Sequence, residues 1–482
     1  MNRKAAMSLT FVLAMSTVML SGCAGSTPAG SAGTEPETVV DVTETPSGDP
    51  AGIETEETVQ ARDDEPAGTD GQAETEAADG SAEAEETGSE TMTEDDPLQT
   101  AFPLSDGITI PELKMNDLNV PSGTAFEYVR DMGVGFNLGN TFDAYNDDSL
   151  GDEMSTETYW QHDRTTQEMI HYLHEYGFDS IRIPVSWHNH VNGDYVISKA
   201  WLDRVNEVVD WAIAEDMHVI INIHHDNHLV DECLYPDREH LDQSLKYVTA
   251  IWSQLSDRFR EYDDSLIFES MNEPRLVGHD NEWWIDPDNA DCVEAIGCIN
   301  ELNQAFVDVV RQSGGNNETR YLMVPGYDAS IDGATHKDFV MPTDPADPSD
   351  DRSNGHVLIS IHGYTPYQFA LEYPGTDHFD PASADSTRDL DSYMNKLYTT
   401  FVKNGVPVVI GEYGSRDKNG NLQDRVSFTA YYVRMARGRG MACLLWDNNA
   451  WTGDGELFGV FNRKDPEKSN FDVLAAIMTY KD

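Results

Sequence analysis

The chain has 482 residues and a formal charge of −56 at neutral pH, from 87 acidic and 31 basic residues, with 39% hydrophobic residues. So large an acid excess argues against nucleic acid or an anionic lipid surface as a partner, and it suits an uncharged ligand. Five cysteines without a C-x-x-C pair give no sign of a structural zinc site.

Residues 1–22 have the pattern of an export signal. Arg3 and Lys4 precede an apolar run from Leu9 to Leu20, too short for a stable membrane span. The ending Leu20-Ser21-Gly22-Cys23 resembles the lipobox of bacterial lipoproteins, which implies cleavage before Cys23 and lipid attachment to its sulfur. An ordinary secretory signal followed by a chance cysteine is the alternative. From residue 23 to about 100 the chain holds 22 acidic residues against Arg62 alone and has no aromatic residue. Such a segment buries too little apolar surface to offset its ordering entropy, and its charges repel, so it is expected to be an extended tether.

Residues 101–482 differ in composition. Apolar runs predict strands at Val134–Leu138, Ser180–Val185, His218–His224, Leu266–Met271, Arg320–Val324, His356–Ile361, Val406–Gly411 and Met441–Leu445. Helical spacing marks Thr166–Tyr176, Trp201–Ala212, Ser244–Arg260, Glu294–Gln312, Leu390–Lys403 and Arg425–Ala436. Eight strands alternating with helices predict a (β/α)8 TIM barrel, with its weakest crossover after the fifth strand, where Asp344–Gly355 reads as loop. Trp201 and Trp211 fall on apolar rows of their helix and belong to the core, as does Cys443. Cys292 and Cys298 are a candidate disulfide in an exported protein.

In such a barrel, chemistry gathers at the carboxyl ends of the strands. The fourth predicted strand leads into Asn272-Glu273-Pro274, where Pro274 stops the ladder and leaves Glu273 at its end. The seventh ends in Gly411-Glu412-Tyr413-Gly414. Two carboxylates at separate strand ends are what hydrolysis of a glycosidic bond requires.

Seven motifs carry a family resemblance: Gly135-Phe136-Asn137-Leu138-Gly139-Asn140-Thr141, Arg182-Ile183-Pro184-Val185-Ser186-Trp187, Asn222-Ile223-His224-His225, Asn272-Glu273-Pro274, His362-Gly363-Tyr364, Gly411-Glu412-Tyr413-Gly414 and Trp446-Asp447-Asn448. Residues 115–482 resemble glycoside hydrolase family 5, clan A, and within it the endo-β-1,4-glucanases and xyloglucanases. Phe136 and Tyr413 depart from the family's common Trp and Phe, and both keep an aromatic ring. The resemblance implies Glu412 as nucleophile, kept ionised by Arg182 and Tyr364, and Glu273 as acid/base, protonated at rest through burial and the nearby Glu412. It also implies Asn272 on the sugar 2-hydroxyl, His224, His225 and His362 around the reacting sugar, and Trp446 as its stacking floor. Asn140, Asp143 and Trp187 are candidates for holding neighbouring glucose units. Trp283, Trp284 and Trp451, in loops beyond strand ends, are candidate further platforms.

The expected activity is therefore retaining, endo-acting hydrolysis of β-1,4-glucan by a monomer at the cell surface. Its partner would be a polysaccharide, its contact with membrane only the lipid at Cys23, and it would need no cofactor and no metal. β-Mannan is the alternative substrate. A metal-dependent hydrolase is the rival suggested by His224-His225-Asp226-Asn227-His228; adjacent strand residues point to opposite sides, and no complementary carboxylate set is apparent. A non-catalytic glycan-binding lipoprotein is the other rival, and it has no need of the two strand-end glutamates.

Overall fold

In a computed structural model the described residues are 102–146, 152–228, 233–347 and 351–482. The export signal, Cys23 and the acidic tether lie outside them. Eight short strands follow one another in chain order: Val134–Leu138 (β1), Ser180–Ile183 (β2), His218–Asn222 (β3), Leu266–Glu269 (β4), Leu322–Pro325 (β5), Val357–His362 (β6), Val408–Tyr413 (β7) and Ala442–Asp447 (β8). Each pairs in parallel with its sequence neighbours, and β1 pairs with β8, so the sheet closes as a barrel. Closure buries both faces of every strand, which is why these segments read as unbroken apolar runs.

The helices are Thr124–Met132 (α1), Gln167–Glu175 (α2), Lys199–Ala214 (α3), Leu241–Arg258 (α4), Ala290–Gln312 (α5), Ile331–Ala334 (α6), Tyr367–Ala370 (α7), Ala384–Thr400 (α8), Leu422–Arg437 (α9) and Phe471–Thr479 (α10). Two longer ones escaped the periodicity. α1 precedes the first strand, and α10 is buried through Asp472–Ile477, so it has no polar face to mark a period. Among its described residues the crossover after β5 contains the single turn of α6 and two short 3-10 turns in place of a full helix, and Asp344 in the following loop is held by Arg311 through two contacts of 2.8 Å.

The expected disulfide does not form. Cys292 and Cys298 are both free and buried, and both lie on α5. Six residues of helix separate them by about 9 Å along the axis, beyond the reach of a disulfide. Trp201 and Cys443 are fully buried, and no helix among the described residues is long and apolar enough to cross a membrane.

Inside the barrel, residues two apart on a strand face the same way. Ile220, Ile267, Met323, Leu358, Val409, Ala442 and Leu444 pack together with Ala125, Val129 and Met132, so α1 helps close the amino-terminal end. Two residues further along the strands the interior turns polar. Asn137, Arg182, Asn222, Glu269 and Ser360 are all fully buried.

Candidate active site

Arg182 organises the polar layer. Its Nε donates to Glu269 Oε2 at 2.7 Å, Nη1 to Glu412 Oε1 at 2.7 Å and Asn137 Oδ1 at 2.9 Å, and Nη2 to Asn272 Oδ1 at 2.7 Å. Burial works against its charge, but Glu269 and Glu412 outweigh that and hold the guanidinium above its ordinary value. Glu269 in turn accepts from Asn222 Nδ2 at 3.0 Å and from Ser360 Oγ at 2.6 Å. A carboxylate buried this deeply is tolerable only with such partners.

Glu412 reaches this network through a bulge. Ile361 of β6 faces Ile410 of β7, yet the next residue, His362, faces Glu412, so Gly411 is the extra residue. A Cβ at Gly411 would lie 3.2 Å from His362 Nε2, close enough that the imidazole would have to shift to admit it. The second oxygen of Glu412 accepts from Tyr364 Oη at 2.8 Å. Burial, then the charges of Glu412 and Glu273, push the Tyr364 phenol well above its ordinary value, so it stays a donor.

His362 lies between the two glutamates. Its Nδ1 is 2.7 Å from Glu273 Oε1 and 3.7 Å from Glu412 Oε1. One oxygen of Glu273, one of Glu412 and a ring nitrogen of His362 all lie within 4.8 Å of one another. Glu273 Oε2 is also 3.8 Å from Arg275 Nη1.

The family description "Cellulase (glycosyl hydrolase family 5)" matches residues 142–451. The chain belongs to glycoside hydrolase family 5. It is 38% identical over 360 residues to the cellulase/esterase CelE of Acetivibrio thermocellus, covering 74% of this chain and 40% of CelE. Endoglucanase A of Clostridium longisporum is 40% identical over 367 residues, covering 73% of this chain and 65% of that protein. The structure of a family 5 lichenase from Caldicellulosiruptor sp. F32 superposes with a TM-score of 0.75 at 49% identity, covering 78% of this chain and all of that one. The chain thus spans less than two thirds of either curated relative, and the whole of the solved lichenase chain.

Within this family 5 site the protonation of Glu273 departs from expectation. Burial raises its carboxyl, as anticipated, but the hydrogen bond from His362 and the charges of His362 and Arg275 prevail and hold it down to about 2. Burial opposes a charge on His362 too, and Glu412 and Glu273 overcome that and raise it. Both shifts favour the charged form of the pair over the neutral one.

The remaining candidates divide. Asn272, engaged by Arg182 through its oxygen, keeps its amide N–H groups to donate elsewhere. His224 is 4% exposed, and its ring lies parallel to Trp446 at 5.9 Å and 4°. Burial, then the charges of His225 and Arg182, hold its pKa well below the ordinary histidine value, so it is neutral. A Cβ on Gly139 would meet the Trp446 ring at 2.8 Å, so glycine there makes room for the indole.

Two candidates are corrected. Trp187 is fully buried and donates from Nε1 to Asn222 O at 2.9 Å, so it is core and no sugar reaches it. Asp143 is likewise fully buried. Its carboxylate accepts from the backbone of Asn140 at 3.0 Å and Thr141 at 2.7 Å, and lies 3.7 Å from His225 Nε2. Asp143 therefore shapes the loop after β1 and faces His225 rather than solvent. Asn140, partly exposed, takes φ 57° in the same turn. The statement that no carboxylate accompanies the histidine pair also fails. Polar atoms of Asp143, His224 and His225 lie within 4.8 Å of one another, because both histidines follow the end of β3 and strand alternation no longer separates them. Asp143 accepts one backbone N–H group on each carboxylate oxygen there.

Three participants were missed. Glu269 was readable as a charge inside an apolar run, which must be paired. Arg275 follows the motif proline and touches Glu273. Asp328, beyond β5, adopts φ 56° and donates its backbone N–H to Pro274 O at 2.9 Å. Burial, then the charge of Glu273, push its carboxyl well above the ordinary value. Nothing local in the sequence marks it.

Proposed function

We propose that the protein is a retaining endo-β-1,4-glucanase in which Glu412 is the nucleophile and Glu273 the acid/base. The observation that carries this reading is the approach of the two carboxyls, with oxygens within 4.8 Å. That gap suits direct attack on the anomeric carbon and is narrower than the separation that admits a water between carboxylate and sugar.

In the first step a Glu412 oxygen bonds to the anomeric carbon as the bond to the leaving oxygen breaks, and the Glu273 carboxyl delivers a proton to that oxygen. The Glu273–His362 pair supplies the proton, and a substrate covering the site adds the burial that moves it towards the carboxyl. In the second step Glu273 takes a proton from water, whose oxygen attacks the same carbon and releases Glu412. Arg182 and Tyr364 hold Glu412 aligned before attack and receive its charge on release. Asn272 donates to the 2-hydroxyl, and Trp446 carries the apolar face of the sugar. These steps use side chains alone. The lichenase and endoglucanase relatives weigh towards glucan, whether cellulose-type, mixed-linkage or xyloglucan, over mannan.

Proton NMR of the first sugar released from a β-glucan tests the route. The β-anomer is expected first; an initial α-anomer would overturn both roles. The Leu20-Ser21-Gly22-Cys23 motif supports a barrel tethered outside the cell by lipid on Cys23. Cys23→Ser should then release active enzyme from the membrane fraction, and unchanged membrane retention would refute the anchor.

A further inference from the structure

The first step needs a proton on Glu273, yet the neighbours of that carboxyl favour its charged form. Beside it stands a second carboxyl that no step above uses. On β4 and β5, Phe268 pairs with Leu322 and Glu269 with Met323. The same register runs on past both strand ends, where Asp328 donates its backbone N–H to Pro274 O at 2.9 Å. Adjacent chains in such a register lie about 5 Å apart, so Asp328 flanks the residue that follows Glu273.

The loop that carries Asp328 is fixed in place. Asp328 and the next residue, Ala329, both take left-handed backbones, with φ 56° and 43°. Two such residues in a row persist only where the surroundings hold them. Tyr327 Oη accepts from the backbone of Leu276 at 3.1 Å and donates to Asn281 O at 2.8 Å, which pins the loop to the chain after β4. Gly333 packs so tightly beneath that a Cβ there would lie 2.2 Å from Tyr327 O. Held this way, Asp328 has its Oδ1 buried with no hydrogen-bond partner among the described residues. An ionised oxygen without a donor is costly to bury, whereas a neutral carboxyl is far less so.

The groups acting on Asp328 are Glu273, Arg275 and Glu282 from the chain after β4 and Glu412 from β7, with Tyr327 before it in its own loop. Three carboxylates against one guanidinium therefore add to burial in keeping a proton on Asp328, and Glu273 is foremost among the charges. Coupling between two proton sites is reciprocal. If a charge on Glu273 helps Asp328 keep a proton, a charge on Asp328 helps the Glu273–His362 pair keep its own.

We propose that Asp328 is a positioning residue for the catalytic proton: it gives up its own proton to solvent first, and the charge it gains makes the Glu273–His362 pair hold the pair's proton to a higher pH. This rests on the hydrolase reading above, in which Glu273 is the acid/base. Asp328 forms no bond to the sugar and acts only through that pair.

The test is the pH profile of kcat/KM on a soluble β-glucan, which reports the free enzyme, for full-length wild type and Asp328→Asn. Asparagine keeps the shape and tolerates a left-handed backbone. Asp328→Gly, which tolerates it as well, is the second variant. In both, the limb at high pH should move down by about one unit. A limb that stays in place or moves up would overturn the proposal, even if the plateau falls, because lost packing lowers the whole profile without moving its limb. The wild type tests the underlying reading by itself. An inactive wild type sinks the hydrolase reading, whereas an active one beside an unmoved Asp328→Asn limb sinks only the role of Asp328.

Discussion

The barrel interior contains two layers built on the same strands and opposite in chemistry. Ile220, Ile267 and Leu358 belong to the apolar layer; Asn222, Glu269 and Ser360, two residues further along β3, β4 and β6, belong to the polar one. Both layers are fully buried, so burial does not separate them. Their linkage does. The apolar residues contribute area and shape, which neighbouring residues can partly replace. The polar residues form one network in which Glu269 and Glu412 share a single guanidinium, and removal of one member strands the others. Stability can therefore be lost in the lower layer without loss of chemistry, whereas the upper layer couples the two.

The sharpest way to break this comparison is Arg182→Lys. Lysine keeps the charge but cannot reach Glu269, Glu412 and Asn272 with a planar fork of donors. A fall in kcat on the order of 10²–10³ is expected, the usual loss when a donor aligned on the developing charge is removed. If steady-state kinetics give a kcat within about threefold of wild type, the polar layer tolerates exchange as the apolar one does, and the distinction collapses.

Leu358→Ala sharpens the comparison from the other side. Leu358 is fully buried in the lower layer, and deleting its branched end should cost about 2–5 kcal/mol through lost burial and a residual cavity. Denaturant titration reads that loss. At a temperature where the variant remains folded, kcat should stay within about twofold of wild type, since the polar groups that hold the two glutamates are Arg182, Tyr364, His362 and Arg275, all outside the lower layer. A drop comparable to that of Arg182→Lys would mean the layers are mechanically coupled.

The two layers were also unequally legible in the sequence. Unbroken apolar runs disclosed the strands, and with them the lower layer, because strands covered on both faces admit little else. Strand ends disclosed Glu273 and Glu412, and the family resemblance set Arg182 and Tyr364 beside them. Position at a strand end does not say which way a side chain turns, and Trp187 shows the limit: its indole turns into the core to meet Asn222. Glu269 shows a related limit, since it lies inside the predicted strand Leu266–Met271, and a charge there signals a buried partner without saying which one. The protonation of Glu273 was beyond reach, because it depends on His362, 89 residues away in sequence, arriving at 2.7 Å.

That contact yields the smallest expected effect, a pH dependence that only the polar layer can show. Glu273 is held down to about 2 from its ordinary 4.5, by His362 and Arg275 acting against burial. A depressed carboxylate contributes stability that is complete above 4.5 and is lost as pH falls towards about 2. His362 is raised above its ordinary 6.5, by Glu412 and Glu273 acting against burial. A raised imidazole contributes stability that is complete below 6.5 and is lost as pH climbs through the raised value. The ion pair therefore acts at full strength only between about pH 4.5 and 6.5. Melting curves of wild type and Glu273→Gln should differ most in that window, by about a few degrees, and converge on either side. For Leu358→Ala the deficit involves no titrating group, so it should stay flat across the same range. A Glu273→Gln deficit equally flat from pH 4 to 9 would show that Glu273 and His362 do not share a proton as the 2.7 Å contact requires.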